Sequence, residues 1–290
     1  MQISQVWNQI NKEIALDIVV EKDVDTRKAY MDTTRKFLRI IEDRKVLKEA
    51  ELKTLKRIRH KVNDIWINYL YGRVNTASSQ MQNLMHLSIG KQMYMDLFSG
   101  MAQKNQVFYR GRISKEPLLL ESDFYHIPFD RRYLIGNQRY SLSGIPCLYL
   151  ASGVDCVYAE LGTKKDVHLC QMINRKDFSL FDVSMDIAEP NTRQEYLASW
   201  YRMPLKYACS IQALDNDGAT FKTNYIIPQL VTATLYNMNT NYQGICYSSI
   251  KGRSLPMEQK INYVFLPVYQ LNKAIYDKNL ISCFKLSIMK

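Results

Sequence analysis

Apolar residues recur every three or four positions through the first hundred residues, then give way to short apolar runs bounded by turn signals. Between Arg27 and Tyr71 there is no Pro or Gly, and Leu55, Ile58, Val62, Ile65, Trp66 and Tyr69 fall at i, i+3, i+4 spacing. That pattern predicts an amphipathic helix, broken at Tyr71–Gly72. Glu51, Lys53, Lys56, Arg57, Arg59 and Lys61 would line its solvated side. A second helix is predicted over Ser79–Phe98, with Met81, Leu84, Met85, Met93, Leu97 and Phe98 inward and Ser99–Gly100 at its end. Its methionines make an adaptable packing surface, turned to the domain's own interior or to a partner. The change of pattern sets a domain boundary near residue 103, with a helical domain over 1–103 and a second domain over 104–290.

In the second domain the best strand candidates are Val107–Ile113, Leu148–Ala151, Phe178–Val183 and Gly244–Ser248, with Asn262–Leu266 as another. Helical segments fall at Gly153–Leu161, around Thr192–Trp200 and at Asn224–Tyr236. Strands and helices mix without a regular βαβ rhythm, so the expected class is α+β rather than a doubly wound sheet. No dinucleotide-binding or phosphate-loop glycine fingerprint is present.

Composition and charge narrow the function classes. The 290 residues carry 39 Lys+Arg and 28 Asp+Glu, a net charge of +11. The excess is shared: 18 basic against 12 acidic residues over 1–104, and 21 against 16 over 105–290. Because it is interleaved with acids and comes with no zinc-finger, helix-turn-helix or RNA-binding signature, direct nucleic-acid binding is not expected. No run nears the ~20 apolar residues of a membrane span, and the N-terminus lacks a signal-peptide pattern. Six cysteines with no CxxC pair suggest reduced thiols in a cytoplasmic protein, and no metal site is expected.

The clearest polar constellation is Arg139, Tyr149 and Glu160, spaced by ten and eleven residues. The run IPCLYLA before Ser152 reads as a buried strand, and Ser152 as an N-cap with Asp155 at the third helical position. Val154, Val157, Tyr158 and Leu161 then define an apolar stripe, ended by Gly162. Glu160 falls roughly 110° from the stripe's centre, on the shoulder of the helix. By spacing alone, a surface ion pair with a core aromatic fits as well as a catalytic set.

Four motifs in order bear on that choice: FYRGR (Phe108–Arg112), HIPF (His126–Phe129), QRYSLSGIPCLYLA with the helix ending in Glu160, and GICYSSIKG (Gly244–Gly252). Together they resemble the RES domain family, toxins of RES–Xre toxin–antitoxin systems, over roughly 106–267. The sequence departs from that pattern at Gly111 and Tyr140. The resemblance implies a fold similar to ADP-ribosyltransferases, and NAD as substrate rather than cofactor. Its nicotinamide–ribose bond would be cleaved through an oxocarbenium-like state. Glu160 would stabilise the developing charge, Arg110 and Arg139 would clamp the pyrophosphate, and Tyr149 would engage the nicotinamide-ribose end. Ser249, two after Tyr247, would hold ribose or the attacking group, whereas His126 reads as structural. The implied activity is NAD hydrolysis or phosphorolysis; the alternatives are protein ADP-ribosyl transfer and a non-catalytic binding module. An Xre-like, DNA-binding antitoxin encoded nearby is the implied partner, and a homo-oligomer stays open.

Overall fold

The helical periodicity of the N-terminal region is realised as several helices in a computed structural model. It describes residues 3–14, 18–21, 25–185, 188–214, 219–238, 240–252, 254–269 and 275–289. The chain begins with helix α1 (Ile3–Glu13) and a short strand β1 (Val19–Val20), followed by α2 (Thr26–Arg44), α3 (Glu49–Leu70) and α4 (Val74–Met85). A two-stranded hairpin, β2 (Ser88–Ile89) and β3 (Gln92–Met93), precedes β4 (Ser99–Ala102) and β5 (Val107–Ile113). Then come β6 (Leu148–Ala151), α5 (Val154–Leu161), β7 (Val167–Asn174), β8 (Phe178–Asp182), α6 (Arg193–Ser210), β9 (Gln212–Ala213) and α7 (Ile226–Asn237). The chain finishes with β10 (Gly244–Ser248), β11 (Ile261–Phe265), α8 (Lys278–Ser282) and β12 (Phe284–Ile288). The fold is α+β, as the mixed pattern predicts.

Contacts divide the chain into two compact units, one of 1–98 with 185–239 and the other of 99–184 with 240–290. The grouping is therefore not the linear one expected on either side of residue 103: the segment bearing α6 and α7 clusters with the N-terminal helices. Within that first unit Phe37 on α2 packs edge-on against Tyr207 on α6, and Tyr30 packs against Trp66 on α3. These rings are wholly buried. Such burial contributes roughly 1.5–3 kcal/mol per large side chain.

The long helix expected over Arg27–Tyr71 is two helices. Lys45 adopts φ +50° and donates its N–H back to Glu42, closing α2 in the left-handed conformation. Glu51 then accepts the Lys48 N–H at 2.8 Å and starts α3. Arg59, expected on the solvated side, is buried, and donates from Nε to Thr34 Oγ1 at 2.8 Å and from Nη2 to Met31 O. The second predicted helix stops at Met85, because Gly90 at φ +64° turns the chain into the β2–β3 hairpin. Met81 and Met85 are wholly buried, but Met93, expected inward, lies in β3 and is 45% exposed. Ser99 and Gly100 begin β4 rather than ending a helix.

The second unit is built on an eight-stranded mixed sheet in the order β12-β7-β5-β6-β11-β10-β8-β4. Only β8 and β10 pair in parallel; the other neighbours are antiparallel. One face carries a large apolar cluster that includes Phe108, Leu148, Leu150, Phe178, Phe265 and Phe284. The other face is covered in part by α5, whose Cys156 and Val157 pack with Ala151 and Tyr109. The approach of α5 to β5 is close. A Cβ at Gly111 would stand 2.5 Å from Val157 Cγ1 and 3.0 Å from Leu161 Cδ1, so only glycine fits beneath this helix. All six cysteines are free, and among the described residues no helix is long and apolar enough to cross a membrane.

Candidate active site

Strand parity decides which predicted residues meet. In β6, Leu148 and Leu150 enter the large apolar cluster, so Tyr149 and Ala151 face the α5 side. Register carries that face across the sheet: Ala151 lies opposite Asn262 on β11, and Asn262 opposite Tyr247 on β10. Glu160, in the last turn of α5, reaches over this row half-buried, on the shoulder that the periodicity predicts. Gly162 closes the helix at φ +71°, its N–H bonded to Tyr158 O. The start of α5 differs from expectation, because Gly153 is the N-cap with no side-chain cap bond. Ser152 is turned instead to β11, where its N–H donates to Ile261 O and its Oγ accepts the Ile261 N–H at 3.0 Å.

Glu160 is the centre of a compact polar network. Its Oε1 accepts two short hydrogen bonds, from Ser249 Oγ at 2.6 Å and from Asn262 Nδ2 at 2.6 Å. Ser249 is buried, and its Oγ also accepts the Gly252 N–H at 2.9 Å. Lys251 Nζ donates to the Glu160 backbone carbonyl at 3.2 Å, capping the C-terminal end of α5 with a positive charge. Among the described residues, Oε2 accepts no hydrogen bond. Half of the carboxylate is thus fixed by neutral donors and half is left available. Beneath it Cys156 donates its thiol to Asn262 Oδ1 at 3.3 Å, and burial, then the Glu160 charge, push that thiol up to about 12.

Arg139 comes to the same face by way of a tight turn. Gln138 and Ser141 form an isolated antiparallel bridge, leaving Arg139 and Tyr140 at the two corner positions. Tyr140 is wholly buried with its ring 4.6 Å from that of Tyr247. Tyr149 anchors the turn: its hydroxyl accepts the Tyr140 N–H at 3.2 Å and lies 2.9 Å from Ser141 Oγ. The phenol assigned to the nicotinamide end thus has its oxygen engaged by the turn that carries Arg139. Tyr247 senses the whole group. Burial raises its phenol well above the ordinary range, the charges of Glu160 and Tyr149 add to this, and Arg139 acts against them.

Arg110 does not join. It alternates in β5 with Tyr109 and Gly111, which face α5, so its side chain lies on the opposite face with Phe108. There Nη1 donates to Tyr149 O at 2.6 Å, and Nη2 lies 3.4 Å from Tyr125 O. Strands β5 and β6 pair only at Tyr109 and Ala151, and the guanidinium bonds a carbonyl where the two have diverged. Arg110 keeps some exposed surface, yet its Nε is closed to solvent and unbonded among the described residues. Burial, then the neighbouring Arg112, push this guanidinium down to about 9. Of the two arginines expected to clamp the pyrophosphate, Arg139 lies on the Glu160 face and Arg110 does not. His126 is structural, as expected: wholly buried, it accepts the Asp277 N–H at Nε2 (2.9 Å) and so donates from Nδ1 to Ile127 O (2.8 Å). Of the five predicted site residues, Glu160, Ser249, Tyr149 and Arg139 share one face.

Two participants escape the sequence reading, Asn262 and Cys156. The signal for Asn262 is a lone amide inside the apolar run INYVFLP, which costs free energy unless hydrogen-bonded. Among known proteins, the chain is 30% identical over 162 residues to one from Bacillus subtilis (strain 168) described as "Putative toxin YopC". That match covers 50% of this chain and 36% of the relative, so the chain spans little more than a third of that protein's length. No family model matches the chain, and no solved structure matches it.

Proposed function

We propose that the second unit is the catalytic part of a toxin-like enzyme that consumes NAD by breaking its nicotinamide–ribose bond, with water or phosphate as acceptor. The observation that carries this reading is the state of Glu160, with one oxygen held by Ser249 and Asn262 and the other without a donor among the described residues. Departure of nicotinamide leaves positive charge on the ribose, and a fixed carboxylate beside that carbon lowers the barrier because it need not reorganise. Ser249 and Asn262 hold the carboxylate without neutralising it. Arg139, presented by the turn anchored on Tyr149, supplies the planar cation suited to a pyrophosphate. The similarity to a protein described as a toxin supports the toxin-like part of the reading, as do the RES-like motifs around these residues. The fold similarity to ADP-ribosyltransferases belongs to the same proposal.

Incubating the purified protein with NAD, with and without phosphate, and identifying the products tests it. Release of free nicotinamide is expected, with ADP-ribose or its phosphorylated form as co-product. Intact NAD after prolonged incubation with folded protein would overturn the reading.

A further inference from the structure

The two donors to Glu160 Oε1 are unlike in placement. Ser249 follows the end of β10, whereas Asn262 is buried within β11, with β6 on one side and β10 on the other. Both ends of the Asn262 amide are engaged. Nδ2 donates to Glu160 Oε1 at 2.6 Å, and Oδ1 accepts the Cys156 thiol at 3.3 Å. Cys156 and Glu160 stand four residues apart on α5, one helical turn, so one turn of helix grips both ends of one amide. Turning the amide over would set its oxygen against the carboxylate, so the bonding partners select a single orientation. From this geometry we infer that Asn262 is the positioning residue of the site: it pins Oε1 and leaves Oε2 for the ligand. The role rests on the reading of Glu160 as the site's carboxylate.

The other groups near Glu160 leave this assignment intact. The Cys156 thiol and the Tyr247 phenol are both held protonated by burial, and Lys251 bonds the backbone oxygen rather than the carboxylate. Arg139 and Tyr149 lie within the same electrostatic neighbourhood of Tyr247. A carboxylate that loses one of two donors is no longer held in one orientation, whatever volume fills position 262.

Nitrogen-15 NMR of the full chain and NAD kinetics read it together. In the wild type the Asn262 side-chain amide protons should be hydrogen-bonded and slow to exchange with solvent. Asn262→Leu, close in shape but without the donor, should lower kcat by about tenfold or more with KM little changed. Cys156→Ala, which releases the other end of the amide, should lower it by less. An unchanged kcat in folded Asn262→Leu, or a freely exchanging wild-type amide, overturns the positioning role. If Asn262→Leu does not fold, the wild-type amide exchange and Cys156→Ala decide the matter. Intact NAD alongside a protected amide would sink the enzymatic reading and uphold the positioning one.

Discussion

The two faces of the central sheet hold two arginines drawn from neighbouring motifs, and they are used in opposite ways. Arg139 stands half-buried at the corner of a turn, on the face where Glu160, Tyr149 and Tyr247 gather. Arg110 lies behind the sheet, bonded to backbone carbonyls and with its Nε closed to solvent. A guanidinium spent on backbone carbonyls joins the framework. The difference is set by strand parity and by the side on which α5 packs, not by residue type.

Three substitutions press on that contrast. Glu160→Gln keeps the shape of the open face and removes its charge. NAD consumption should fall by about 100-fold or more, with the unfolding midpoint little changed, measured by product release and denaturant titration. On the other face, His126 is held below its ordinary 6.5, first by burial, although its bond to Ile127 O acts the other way. Its unfolded form therefore takes up a proton first as pH falls. Stability present above pH 6.5 should drain away below it, with a slope approaching about 1.4 kcal/mol per pH unit. Urea midpoints recorded from pH 7.5 downward should show this loss in the wild type and its absence in His126→Asn. The smallest effect is expected from Arg110→Met. Removing the guanidinium takes a donor from Tyr149 O but also relieves a charge held away from water, and the opposing effects should leave stability within about 1 kcal/mol. NAD turnover per folded molecule should stay within about threefold of wild type, the size of a subtle repacking effect rather than of a lost phosphate clamp. A large fall in turnover with Arg110→Met would break the division between the faces.

Much of this arrangement was legible in the chain. The runs at Val107–Ile113, Leu148–Ala151 and Gly244–Ser248 are strands with those bounds, because each is a short apolar run closed by turn residues. Glu160 on the shoulder of α5 follows from the 3.6 period alone. Ser249 rather than Ser248 reaches Glu160, the serine that the resemblance to RES domains implied. Other features depend on facts a single sequence does not display. Parity puts Arg110 and Arg112 on one face, yet nothing local says which face the helix will cover. The break between α2 and α3 uses a lysine in a left-handed conformation, with neither Gly nor Pro to announce it. The strand β7, VHLCQMIN, has no strict alternation of apolar and polar residues, so the period-2 signal of a strand is absent from it. Asn262 was hidden because its partners lie more than a hundred residues away in sequence.

Gly111 gives the site an unexpected dependence on an atom that is missing. The height of α5 above the sheet is set by the empty place where a methyl would collide with Val157, and Glu160 rides on that helix. A single added carbon at 111, a whole strand away from any ligand, would lift the helix and stretch two bonds of 2.6 Å. Residues that never touch Glu160 thereby acquire a veto over where its carboxylate sits, exercised through the spacing of a floor and the beam above it.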